Sequence, residues 1–148
     1  MSDDGNTQGG LFAEGLKVRR AVLGPEYVDA SLARADEFMR TLQHASTEMC
    51  WGYVWARPGL EARTRSLLTL ALLTALKSPA ELKLHVRGAL RNGASVEQIR
   101  ETLLHAVAYC GIPAGMTAFK AAHEALIEAG ALPAGSPPAG APPGSQAR

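Results

Sequence analysis

Ser78-Pro-Ala-Glu81-Leu-Lys-Leu-His85-Val-Arg87, closed by Asn92-Gly93, is the stretch whose reading decides the fold. It predicts one helix. Ser78 suits the N-cap, Pro79 the first helical position, and Glu81 the place where a capping box wants a carboxylate. Asn92-Gly93 reads as the stop, since both residues tolerate a left-handed backbone. Glu81 and His85 are four apart, which puts their side chains on one face, one turn above the other. A carboxylate beside an imidazole can fix the ring's tautomer and raise its pKa, a common way to assemble a proton-transfer group. The same two residues also fit a plain cap and a packed or solvated histidine.

Upstream, Arg57-Pro-Gly-Leu60 is a turn leading into a helix from Glu61 to Leu76. From Leu67 onward that helix is apolar nearly all round, which predicts a buried central element. Arg63 and Arg65 lie in its first turns and Arg57 just ahead. Arginines there suit bidentate binding of carboxylates, and they run against the helix dipole; each also fits a solvated face. Arg63 and Arg65 point roughly 200° apart on a helix, so one pocket is not expected to receive both. Arg87 is likewise roughly 200° round from His85 and suits a subunit contact as well as a site.

Further upstream, Pro25 and Glu26 open a long helical pattern with Leu32, Ala35, Phe38, Met39 and Leu42 on its apolar face to about Ser46. Met49, Cys50, Trp51, Tyr53, Val54 and Trp55 then concentrate aromatics that are scarce elsewhere. They fit a core corner or the apolar wall of a pocket. Gly15 to Gly24 reads as a helical turn or two, and residues 1–14 lack periodicity and read as a flexible segment. Downstream, Ser95-Val-Glu-Gln98 is a capping box. Ile99, Leu103, Ala106, Val107 and Cys110 follow as a core stripe, and His105 sits beside Glu101 on the outer side. After Gly111, Ile112-Pro113 reads as a break. A last helix, 114–129, carries Met116, Phe119, Ala122 and Leu126 on one face, with His123 nearby and Gly130 closing it. Residues 131–148 are Pro, Gly, Ala and Ser, a composition that reads as a disordered tail.

No strand pattern stands out, so the expected class is all-α, a compact bundle of about six helices over residues 15–130. Composition agrees: 47% of the 148 residues are hydrophobic but only 5% aromatic, favouring close-packed helices over a β-sandwich. A net charge of +1 and the absence of a basic run with interleaved aromatics argue against nucleic acid. No apolar run reaches bilayer length, and the polar, acidic N-terminus is no secretory signal, so a cytoplasmic protein is expected. Cys50 and Cys110 read as small core hydrophobes in a reducing compartment, with one disulfide left open. His44, His85, His105 and His123 are too scattered for a metal-ligand motif.

Several blocks in order resemble the 4-carboxymuconolactone decarboxylases. They are Gly15-Leu-Lys-Val-Arg-Arg-Ala-Val-Leu-Gly24, Trp51-Gly52, Arg57-Pro-Gly-Leu60, Arg63-Thr-Arg65-Ser-Leu-Leu-Thr-Leu-Ala, Leu84-His85-Val-Arg87-Gly-Ala-Leu-Arg-Asn-Gly93 and Tyr109-Cys-Gly-Ile-Pro-Ala114. The wider superfamily includes alkylhydroperoxidase-D-like enzymes with a Cys-x-x-Cys-x-x-x-His signature. Here His85 matches the histidine, but Ser78 and Glu81 stand at the cysteine positions, so dithiol–disulfide peroxide reduction lacks its redox centre. The resemblance implies the decarboxylase branch of protocatechuate catabolism toward β-ketoadipate, and a homo-oligomer, often a hexamer. It implies 4-carboxymuconolactone, a lactone dicarboxylate, as substrate. That substrate is a vinylogous β-keto acid carrying its own electron sink, so no cofactor is expected. His85 and Glu81 are then the candidate catalytic pair. Arg63, Arg65, Arg87 and Arg57, with Trp51 and Trp55, are the candidates for binding. The competing classes are a thiol peroxidase or disulfide reductase and a helical interaction module.

Overall fold

The computed structural model describes residues 7–135. What the sequence predicts for residues 1–6 and 136–148 lies outside the described residues. Among those described there are seven α-helices, one π-helix and no strand, so the all-α class is met, with eight helical elements against about six expected. In order they are α1 (Thr7–Leu23), α2 (Pro25–Arg34), α3 (Glu37–Ala45), π1 (Ser46–Trp55), α4 (Ala62–Ala75), α5 (Pro79–Arg91), α6 (Val96–Cys110) and α7 (Ile112–Glu128).

Helix α5 is the decisive helix, and it separates two apolar clusters. Leu82, Val86 and Ala89 face Leu70, Ile99, Leu103 and the alanine face of α7, Ala118, Ala121, Ala122 and Ala125. Leu84, on the opposite side of α5, packs against Val22, Leu23, Val28 and Trp51. Small side chains let the backbones approach: a Cβ on Gly88 would come within 3.0 Å of Val22 Cγ1. At the outer edge Lys83 pairs with Glu124 and Arg87 with Glu128, tying α5 to α7. These pairs are exposed, so solvent screening leaves them little weight in stability.

The caps divide. Ser95 and Gln98 make the reciprocal capping box, both bonds at 3.0 Å. Gly93, at φ 83°, ends α5, with Ala94 N donating to Ala89 O. Ser78, however, makes no side-chain cap. Lys77 ahead of it takes a left-handed φ of 55° to end α4, and Ser78 N donates back to Leu73 O. Ser78 thus belongs to the C-terminal motif of one helix more than to the cap of the next, and Glu81 is released from a capping box.

Other expectations change too. The pattern from Pro25 to Ser46 breaks at Ala35, which is extended, and Asp36 restarts the chain by accepting from Met39 N. Phe38 and Leu42 are consequently 85% and 62% exposed instead of buried. Helix α4 is not apolar-buried all round: Ser66, Leu70 and Thr74 are buried, while Leu68, Leu72 and Leu76 form an outer stripe. Ile112-Pro113 is the first turn of α7, not a break, because Gly111 at φ 86° makes the turn. Met116 is exposed. Helix α1 begins at Thr7, so residues 7–14 are helical, and Leu132 past α7 packs on the core. Cys50 is exposed and Cys110 half-buried; both are free thiols, neither a core residue.

Candidate active site

The Trp-containing stretch folds as π1, continuous with α3. Its i→i+5 bonding widens each turn, as in Ala56 N to Trp51 O at 3.1 Å, so residues four and five apart share a face. Thr47, Trp51 and Gly52 turn inward as a result. Two glycines let α1 and π1 touch through their backbones. A Cβ on Gly15 would lie 2.0 Å from Thr47 O, and one on Gly52 would lie 2.2 Å from Leu11 O. Arg19 is one turn beyond Gly15 on the same α1 face. The close approach therefore carries its side chain under π1, where it is only 6% exposed.

Between α1, α2, α3, π1, α4 and α5 lies a cavity of about 360 Å³, a size usual for small-molecule sites. Trp51 and Trp55 make one wall, with ring centroids 4.9 Å apart. The His85 ring lies parallel to Trp51, within 2° and at 6.1 Å between centroids. Glu81 borders the same cavity one turn before His85, as the four-residue spacing predicts. Arg19, Tyr27, Gln43, Ser46, Cys50 and Thr69 supply further polar groups. Arg19 Nη1 donates to Thr47 Oγ1 at 3.0 Å, and the Thr47 hydroxyl in turn donates to Gln43 O at 2.8 Å.

The electrostatics differ from the sequence expectation in one respect. Burial pushes the His85 pKa down to about 4, and its Nδ1 has no hydrogen-bond partner. Glu81 therefore does not raise this imidazole; the ring is neutral at pH 7, with one N–H and one free lone pair. For Arg19, burial also acts against the charge, while Tyr27 and Glu81 act in its favour.

A pH prediction follows for stability. The unfolded chain protonates His85 near 6.5 and the folded chain only near 4. Between those values the unfolded state binds more protons, so His85 destabilises the fold progressively as pH falls through that window. The contribution reaches roughly 3 kcal/mol below pH 4 and vanishes above 6.5. Urea unfolding at pH 7 and pH 4 should show a smaller loss for His85→Gln than for the parent chain. An equal loss would refute it.

Of the residues picked from sequence, His85, Glu81, Trp51 and Trp55 meet at this cavity; Arg57, Arg63, Arg65 and Arg87 do not line it. Arg63 faces Glu61, the Arg65 guanidinium donates to Arg57 O, and Arg87 is held by Glu128. The cation that does line it, Arg19, escaped the sequence reading. Gly15 and Arg19 four apart were the available signal, but the stretch read as only a turn or two. The remaining histidines are elsewhere: His44 stacks on Phe12, His105 meets Tyr109 with the rings tilted by 44°, and His123 borders a smaller apolar cavity with Phe119 and Leu132.

Comparison with known proteins gives the family. The chain is 53% identical over 103 residues to a nitrosuccinic acid decarboxylase of Metarhizium robertsii, covering 70% of this chain and 72% of that one. It is 38% identical over 122 residues to the 4-carboxymuconolactone decarboxylase of Acinetobacter baylyi, covering 82% and 91%. An uncharacterised 15.0 kDa protein of Paracoccus denitrificans is 30% identical over 120 residues, 80% and 89% of the two chains. The named relatives support a decarboxylase activity acting on a small molecule. Residues 40–124, which contain π1, α4, α5 and α6 whole, match the Carboxymuconolactone decarboxylase family, and the chain belongs to it.

Proposed function

We propose that this protein decarboxylates, without a cofactor, a small dicarboxylate whose departing carboxylate sits on a carbon activated by its own electron acceptor. The observation that carries the reading is a tryptophan-walled cavity in which a neutral His85 and Glu81 share one helix face. Two substrates with this chemistry are in view. In nitrosuccinate the carbon losing CO2 bears a nitro group; in 4-carboxymuconolactone it is conjugated through a carbon–carbon double bond to the lactone carbonyl. In each, a CH2–COO⁻ arm on that carbon is retained.

Loss of CO2 leaves the electron pair delocalised onto oxygen, as a nitronate or a dienolate, and one proton must then be added at carbon. The substrate supplies the electron sink, so the protein has to hold it, stabilise the oxyanion and deliver the proton. We assign the neutral His85 N–H to the oxyanion, and to the pair Glu81 and His85 the relay of one proton from solvent water to the carbon. Trp51 and Trp55 form the water-excluding wall. Nitrosuccinate is the first substrate to test because of the 53% relative. The lactone is the second, favoured by a match covering more of both chains; with it the protein would belong to protocatechuate catabolism.

Purified protein should show saturable release of CO2 from at least one of the two acids, in chelator and with no added thiol. Turnover that requires a metal or a thiol would refute the cofactor-free reading. A homo-oligomer is part of the same proposal. It is supported by the exposed stripe Leu68, Leu72 and Leu76 on α4, and sedimentation as a monomer at micromolar concentration would remove it. Among the described residues no helix is long and apolar enough to cross a membrane.

A further inference from the structure

Among the described residues Arg19 is the only lysine or arginine bordering the cavity, and it is unusually placed for a cation. It is 6% exposed, yet none of the ion pairs among the described residues includes it. Its single side-chain hydrogen bond goes to the neutral Thr47 hydroxyl, and its Nε is buried with no partner. A buried guanidinium left in this state is costly, because Glu81 acts on it only through space and no anion bonds to it directly. Charged groups so buried are normally paired, which makes an anionic ligand the missing partner. Thr47 fixes one edge of the guanidinium, and Gln43 O in turn fixes Thr47, so the group is held in place before any ligand arrives.

We propose that Arg19 anchors the carboxylate the substrate keeps, and so makes turnover selective for dicarboxylates: a monocarboxylate seated on Arg19 has no second carboxylate to lose. This rests on the decarboxylase reading of the same cavity. With the retained carboxylate on Arg19, the departing one has no second cation among the cavity residues and can lie against Trp51 and Trp55. An apolar wall solvates an anion poorly and does not disfavour neutral CO2, so the arrangement favours loss of that group and not the anchored one. Arg19 is thus a binding and orienting residue, with the proton chemistry left to α5.

The test uses unreactive probes as well as substrates. Calorimetry on the intact protein should show succinate binding at least about a hundredfold tighter than succinamide, which carries no carboxylate. In Arg19→Gln that preference should fall to within about tenfold, while His85→Gln should keep it. The same collapse is expected for kcat/KM of nitrosuccinate relative to 2-nitropropanoate. If Arg19→Gln does not fold, Arg19→Lys and the wild-type probe ratio decide. Equal binding of succinate and succinamide by the wild type, or an undiminished preference in a folded Arg19 variant, overturns the proposal. Arg19-dependent succinate binding with no decarboxylation of either acid would leave the anchor standing and refute the activity. Turnover without dicarboxylate preference would do the reverse.

Discussion

Replacing His85 with glutamine is expected to lower kcat by about a hundredfold to ten-thousandfold, the usual loss for a positioned acid–base group. KM should change little, because the ring is assigned to charge that develops only as CO2 leaves. The fold should survive. His85 is half-buried on α5, faces Trp51 without contact closer than 6.1 Å between centroids, and leaves its Nδ1 unbonded, so glutamine removes no structural hydrogen bond from that atom. Because burial holds the imidazole neutral, exchanging it for a neutral amide also leaves no uncompensated charge. Steady-state kinetics beside a circular-dichroism melt would check both halves. A folded variant with near-full turnover would remove His85 from the mechanism.

Gly52→Ala should be among the most destabilising single substitutions, costing about 3 kcal/mol or more by overpacking. The added Cβ would lie 2.2 Å from Leu11 O and 2.9 Å from Leu11 C. Both are backbone atoms of α1, so no rotamer change can relieve the clash; the helix must move. Gly15→Ala meets Thr47 O at 2.0 Å and Gly52 N at 2.7 Å from the other side and should act in the same direction. Displacing α1 also displaces Arg19 from Thr47, so any folded fraction of either variant should bind succinate more weakly. Denaturant unfolding reads the first effect and calorimetry the second. Gly9→Ala, with nothing within 4 Å of the new Cβ, is the neutral control. A Gly52→Ala protein as stable as that control would mean the two backbones do not pack as described.

Much of the fold was legible because its signals are local. The Ser95–Gln98 box, the Gly93 and Gly130 stops and the apolar spacing of α5 and α6 each act within one or two turns, and each appears in the structure. The Glu81–His85 pairing on one face was legible for the same reason, since a four-residue spacing fixes it. Three features were not. Ser78 was read as a cap, but the same residue closes α4, and local chemistry cannot say which helix claims it. Ala35–Asp36 splits an apolar pattern that by periodicity is continuous. Helix α4 looks like the central helix from its leucines, yet α5 separates the two apolar clusters and takes that place.

The sequence by itself determined an all-helical chain and the face of α5 that Glu81 and His85 share, because helical periodicity and capping are properties of neighbouring residues. Only the tertiary structure decided which cation serves the cavity. Arg57, Arg63, Arg65 and Arg87 are conspicuous in the sequence but stay at the surface or with other partners, whereas Arg19 is brought inward by a contact between residues 15 and 52. That contact needs a π-helix, whose i→i+5 bonds are held by packing against α1 and leave no 3.6-residue pattern to read.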